Sequence, residues 1–212
     1  MRFEVGERGP TPKEALDYFA AKKLAPDLDL DEVYDEEHGY AFAVAGAMER
    51  DILDGIYGAV RTALADGLTY STFADGLDEI LDRLGWWVGE GSEKTAPHRL
   101  RVVYDTNMRV ARAAGQWSRV QRTKGALPYL VYSLGPSVRH RPEHEAWAGT
   151  VLPVDHSFWS SHMPPNGFGC KCRVRQISKG EAEDLGVSSE VPAGEPDEGW
   201  ARNPGEGRQP PV

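Results

Sequence analysis

Cys170 and Cys172 close a stretch, Pro128–Val174, that also holds four of the six histidines: His140, His144, His156 and His162. In an extended segment residues i and i+2 project to the same side, so both thiols can face one partner. A structural zinc site needs about four nitrogen or sulfur ligands. Cys170, Cys172 and His144 are therefore the candidate metal set, with His140 or His156 as the fourth. Pro164-Pro165-Asn166-Gly167 sets a turn just ahead of the cysteines. The competing reading is two small buried cysteines after a tight turn, with His144 hydrogen-bonded in a core. Cysteines this close in sequence make a poor disulfide, and in a reducing compartment they are free thiols or metal ligands.

Other chemistries lack a required part. Asp155-His156 and Asn166 resemble two pieces of an HNH nuclease site, but no histidine follows His162 and no acid lies between Asp155 and Glu181, so the downstream metal ligand is missing. His140 and His144 stand four apart, yet the run reads Arg-Pro-Glu-His and not His-Glu-x-x-His, which argues against a metalloprotease. There is no Gly-x-Ser-x-Gly, P-loop or Gly-x-Gly-x-x-Gly. His144 beside a cysteine nucleophile would still want an oxyanion hole, and nothing in the sequence supplies one. Arg101, Arg109, Arg112 and Arg119 fall on one face of a helix, with Tyr104 and Trp117 interleaved. That face is a candidate partner-binding or nucleic-acid surface; the ordinary alternative is a salt-bridged face.

Charge is segregated. Residues 1–97 carry 9 Lys+Arg against 21 Asp+Glu, residues 98–176 carry 12 against 4, and residues 177–212 carry 3 against 8. Such asymmetry marks different partners for different parts, or acidic and basic parts that pack together. No run of 18 apolar residues is present, so no membrane span is expected. The N-terminal residues lack the apolar core of a secretory signal, and synthesis in the cytoplasm is expected.

The elements that must position these residues follow from periodicity. Thr11-Pro12 opens a helix over 11–26 with Ala15, Leu16, Phe19 and Ala20 on one side. An acidic loop is expected over 27–37. Phe42, Ala45, Met48, Ile52, Ile56, Val60 and Leu64 predict one long helix over 38–66, stopped by Gly67. Phe73, Leu77, Ile80, Leu81 and Leu84 predict another over 70–84. Residues 86–97 read as a Gly-containing connector and domain boundary. A helix follows over 99–114, extending through the basic 117–123. Short strands are expected at 129–134, at 150–154 (an edge, because of Pro153) and at 172–176. Tyr104, Trp147, Phe158, Trp159 and Phe168 are expected to form the second domain's core. From Val187 on, Pro, Gly, Glu and Ser predict an extended tail, disordered until docked. The fold class is thus α+β, with an acidic helical region 1–88, a basic core domain 98–186 and a tail 187–212.

An ordered series of motifs resembles a known family. It runs through Tyr104-Asp105-Thr106-Asn107-Met108-Arg109, Gly115-Gln116-Trp117 and Pro128-Tyr129-Leu130-Val131-Tyr132. It continues with Arg139-His140-Arg141-Pro142-Glu143-His144, Leu152-Pro153-Val154-Asp155-His156 and Phe158-Trp159. Pro164-Pro165-Asn166-Gly167 and Cys170-Lys171-Cys172-Arg173-Val174 complete it. With weaker N-terminal pieces such as Leu84-Gly85-Trp86-Trp87, the likeness covers roughly residues 10 to 205. The chain is similar to the Mu F-like minor head proteins of tailed phages, the phage head morphogenesis family. Phe168 stands where the family often has Trp, and many relatives continue past the region of Asn203-Pro204-Gly205.

The resemblance implies a structural role in head assembly near the portal, with portal protein and major capsid or scaffolding protein as partners. It implies location in the host cytoplasm during assembly and then in the virion head. Two alternatives stay open: an enzyme with an ADP-ribosyltransferase-like fold, although residues 99–176 hold only Glu143 and Glu145 as glutamates, and a DNA-binding module inside the head.

Overall fold

The computed structural model describes residues 13–24, 41–42, 50–84 and 92–206. The chain divides into two compact units, one built from residues up to 112 and the other from residues 113–207. Among the described residues there are seven helices, a two-stranded parallel pair and a three-stranded antiparallel sheet, an α+β fold.

The first unit comprises α1 (Lys13–Ala20), β1 (Lys23–Leu24), β2 (Ala41–Phe42), α2 (Arg50–Asp66), α3 (Tyr70–Leu84) and the first part of α4 (Ser92–Thr123). Its core is a set of helical stripes: Ala15 and Phe19; Leu53, Ile56, Val60, Ala63 and Leu64; Phe73, Leu77 and Leu81; Leu100, Tyr104, Met108 and Ala111. Spacings of three and four put each stripe on one face of its helix. Gly67, at φ 65°, ends α2, and the Leu68 N–H bonds Ala63 O at 3.0 Å, the closing bond of a Schellman turn. Tyr104 donates its hydroxyl to Leu68 O at 2.6 Å, so the aromatic core also satisfies this turn. Thr69 caps α3 through Oγ1, which accepts from Thr72 N at 3.3 Å.

The long helix expected over 38–66 is described from Arg50 to Asp66, whereas Ala41–Phe42 pairs in parallel with Lys23–Leu24, a partner that takes its backbone out of the helical pattern; residues 38–40 and 43–49 lie outside the described residues. The start of the first expected helix, the acidic loop over 27–37 and the Gly85 stop lie outside the described residues. So does the first half of the expected connector; its second half, from Ser92, is already the start of α4.

The second unit is built on the sheet β4-β3-β5: β3 (Tyr129–Ser133) is central, with β4 (Val151–Pro153) and β5 (Arg173–Ile177) antiparallel on either side. All three expected strands form, and Pro153 sits on an edge. Alternation along β3 feeds two cores. Leu130 and Tyr132 pack with Trp117, Val120, Trp147, Leu152, Trp159, Met163 and Val174, while Tyr129 and Val131 face Val151, Ile177 and Ala182. Gln116 Nε2 donates to Val174 O at 2.8 Å, and Gln176 Nε2 donates to Val120 O at 3.2 Å, tying helix α4 to the sheet. Short helices α5 (Pro142–Trp147) and α6 (Phe158–His162) cover the first of these cores, and α7 (Lys179–Leu185) follows β5.

The tail beyond α7 is extended and docked. Trp147 Nε1 donates to Ala193 O at 3.2 Å, Asn203 Nδ2 to Trp159 O at 3.0 Å, and Trp200 is buried. Of the five expected core aromatics, Trp147, Phe158 and Trp159 fill this unit. Tyr104 belongs to the first unit's core. Phe168 is 54% exposed, its ring lying edge-on to Trp200 at 4.9 Å.

Candidate metal centre

His144 comes from α5, which Pro142 opens at a first-turn position where a missing N–H costs nothing. The cysteines come from the loop entering β5. Gly135, in the loop after β3, lies flat against the Lys171 backbone, with no room for a Cβ. The ligand-type atoms of His144, Cys170 and Cys172 lie within 4.8 Å of one another. His144 Nδ1 is 3.8 Å from Cys170 Sγ and 3.5 Å from Cys172 Sγ. A tetrahedral ion with Zn–S of about 2.3 Å and Zn–N of about 2.05 Å would place nitrogen and sulfur about 3.6 Å apart. The three side chains therefore stand at coordination spacing, and together they could bind a metal.

The surroundings are largely buried. His144 and Cys170 are 3% and 4% exposed, and Cys172 is half-buried. The Trp147 ring stacks on the imidazole at 5.0 Å and 27°. His144 Nε2 is buried with no hydrogen-bond partner, so the ring's polar contacts run through Nδ1 toward the sulfurs.

Without a metal the two thiols share one proton unequally. Donation from Cys170, aided by His144 and Tyr132 and opposed by burial, pushes the Cys172 thiol down to about 4. The same hydrogen bond, with burial, pushes Cys170 far up. Burial first, and then its bond to Cys172, raises the Tyr132 phenol. A thiolate held in this way is the form a metal needs.

The other sequence candidates are engaged elsewhere. His140 Nε2 lies 2.9 Å from Gly135 O, and His156 Nδ1 accepts from Phe158 N at 3.1 Å; neither belongs to the close group. Arg101 pairs with Asp105 at 2.8 Å and lies over the Tyr70 ring at 4.6 Å. Arg109, Arg112 and Arg119 are half-buried along α4, and each makes a polar, ionic or ring contact. Two residues near the cysteines carry more than their sequence positions suggested: Tyr132, in the core cluster against which Cys172 packs, and Asn166, which donates to the Tyr132 hydroxyl. The signal for Tyr132 was strand alternation, which puts it on the same face as Leu130, opposite Val174 on β5.

The class of protein follows from comparison with known chains: the family described as Phage Mu protein F like protein matches residues 54–175, a span that includes all three clustered side chains. The chain belongs to this family. It is 36% identical over 186 residues to the Putative capsid assembly protein F of Escherichia phage Mu, an alignment covering 83% of this chain and 42% of that protein. It is 30% identical over 171 residues to the Mu-like prophage FluMu F protein of Haemophilus influenzae, covering 77% of this chain and 41% of that one. The chain thus spans about two fifths of the length of these curated relatives. No solved structure matches it significantly. Among the described residues, no helix is long and apolar enough to cross a membrane.

Proposed function

We propose that this protein is a minor head protein acting in capsid morphogenesis of a tailed phage or prophage-like particle. The observation that carries the reading is 36% identity, over 83% of the chain, to a protein named for capsid assembly. The protein works near the portal, in the host cytoplasm during assembly and afterwards in the virion head. Portal protein and major capsid or scaffolding protein are its partners, the acidic region 1–88 and the basic region 98–186 meeting different components. His144, Cys170 and Cys172 bind zinc as a structural tie: two thiolates and one imidazole are a zinc donor set. One coordination position remains for a further ligand.

Co-expression with the neighbouring portal protein and affinity co-purification tests the assembly role. A stable complex is expected, weakening as rising salt shortens the Debye length below about 8 Å. No association with portal, capsid or scaffolding protein under any salt would overturn the reading.

A further inference from the structure

We propose that Tyr132 and Asn166 are positioning residues of the metal centre, Asn166 aiming the Tyr132 hydroxyl at the Cys172 sulfur. The proposal rests on reading His144, Cys170 and Cys172 as metal ligands. Asn166 is wholly buried, and its Nδ2 spends its two hydrogens on Tyr132 Oη at 3.0 Å and His162 O at 3.1 Å. The His162 carbonyl fixes the amide's orientation, because the flipped amide would set two acceptor oxygens face to face.

Since Oη receives the Asn166 hydrogen, the phenol's own hydrogen is free, and Cys172 packs against the core cluster to which Tyr132 belongs. Asn166 therefore bears on the Cys172 sulfur through Tyr132. Asn166 Oδ1 is left buried without a partner, a cost that a merely space-filling residue would avoid. Tyr132 is also fully buried, so no water substitutes for its hydroxyl. Donors to metal-bound sulfur orient the ligand and tune its basicity, and losing one typically weakens metal binding about 10- to 100-fold.

The test compares the full chain with Tyr132→Phe, Asn166→Leu and a core control, Leu130→Ala. Leu130 lies on the same face of β3 and is equally buried, but it has no polar group to offer a sulfur. Zinc affinity is read by competition with a chromophoric chelator, and the cobalt(II)-loaded proteins report the thiolate-to-cobalt charge-transfer band. Tyr132→Phe should weaken zinc binding about 10- to 100-fold and shift the cobalt band. Leu130→Ala should lower the melting temperature while leaving affinity and band as in wild type. Asn166→Leu, which removes the amide donor while keeping the branching and the number of side-chain heavy atoms, reads the chain from its other end should Tyr132→Phe not fold. Wild-type affinity and band in the polar variants, or an equal change in the Leu130 control, overturns the positioning role and leaves the zinc reading intact. A wild-type chain that takes up neither zinc nor cobalt overturns both.

Discussion

Replacing Trp147 by Phe tests whether the second unit is held together where helix α5, strand β3 and the tail meet. Trp147 is fully buried; its ring stacks on His144 and meets Tyr132 and His162 edge-on at 5.9 and 4.7 Å. Phe keeps the six-membered ring and removes the pyrrole part. The lost apolar burial costs about 1 kcal/mol, and a vacated volume of roughly 40 Å³ at about 24 cal/mol per Å³ adds about 1 kcal/mol. The bond from Nε1 to Ala193 O adds only about 0.5 kcal/mol, because Ala193 is exposed and water can take its carbonyl. The sum is about 2–3 kcal/mol of destabilisation of residues 113–207. Urea unfolding followed by tryptophan fluorescence, with chelator present so that metal linkage does not enter, reads this unit, which holds four of the six tryptophans. With a slope of about 2 kcal/mol/M the midpoint should fall by about 1–1.5 M. A fall of less than about 0.25 M would refute the claim that this ring is a packing centre.

Cys172→Ser should abolish about one equivalent of bound zinc per chain and lower the melting temperature, as should a strong chelator on wild type, measured by metal analysis and calorimetry; a metal-free wild type of unchanged stability speaks for two plain buried cysteines. In metal-free protein the Cys172 thiol, depressed to about 4, is ionised far below its ordinary range. Its contribution to stability is therefore full above the unfolded thiol value and is lost as pH falls through about 4. Thiolate ultraviolet absorption should accordingly persist at pH 6 in wild type and vanish in Cys172→Ser; a thiolate signal that appears only near pH 9 contradicts the shared-proton arrangement. Gly135→Ala would drive a Cβ into the Lys171 backbone, whereas Gly125 has open space around it. The first should cost about 1–3 kcal/mol and lower zinc occupancy, and the second should stay within about 0.5 kcal/mol, both read by denaturation and metal analysis.

The sequence by itself determined the elements whose pattern is local. The stripe Phe73, Leu77 and Leu81 defines α3, and Gly67 marks the end of α2, because side-chain periodicity and a positive φ are properties of a few neighbouring residues. The three strands were readable for the same reason, and the charge signs of the segments needed only counting. Tertiary structure decided the rest. Ala41–Phe42 left its helical pattern because the partner strand lies well away in sequence at Lys23–Leu24, and pairing energy between distant segments has no local signature. Phe168 is half exposed because what it meets is Trp200, a residue of the tail. At the candidate metal centre the sequence named His144 with Cys170 and Cys172, and these three do come together, but it left open whether His140 or His156 joins them, and neither lies in the close group. His144 stands on α5, which Pro142 opens, and Gly135 lets the Lys171 backbone pass close by. His140, four residues earlier, is turned to Gly135 O. Donor chemistry is carried by residue type, whereas coordination is a matter of a few tenths of an ångström between side chains from separate segments, and only the packed core fixes distances of that kind.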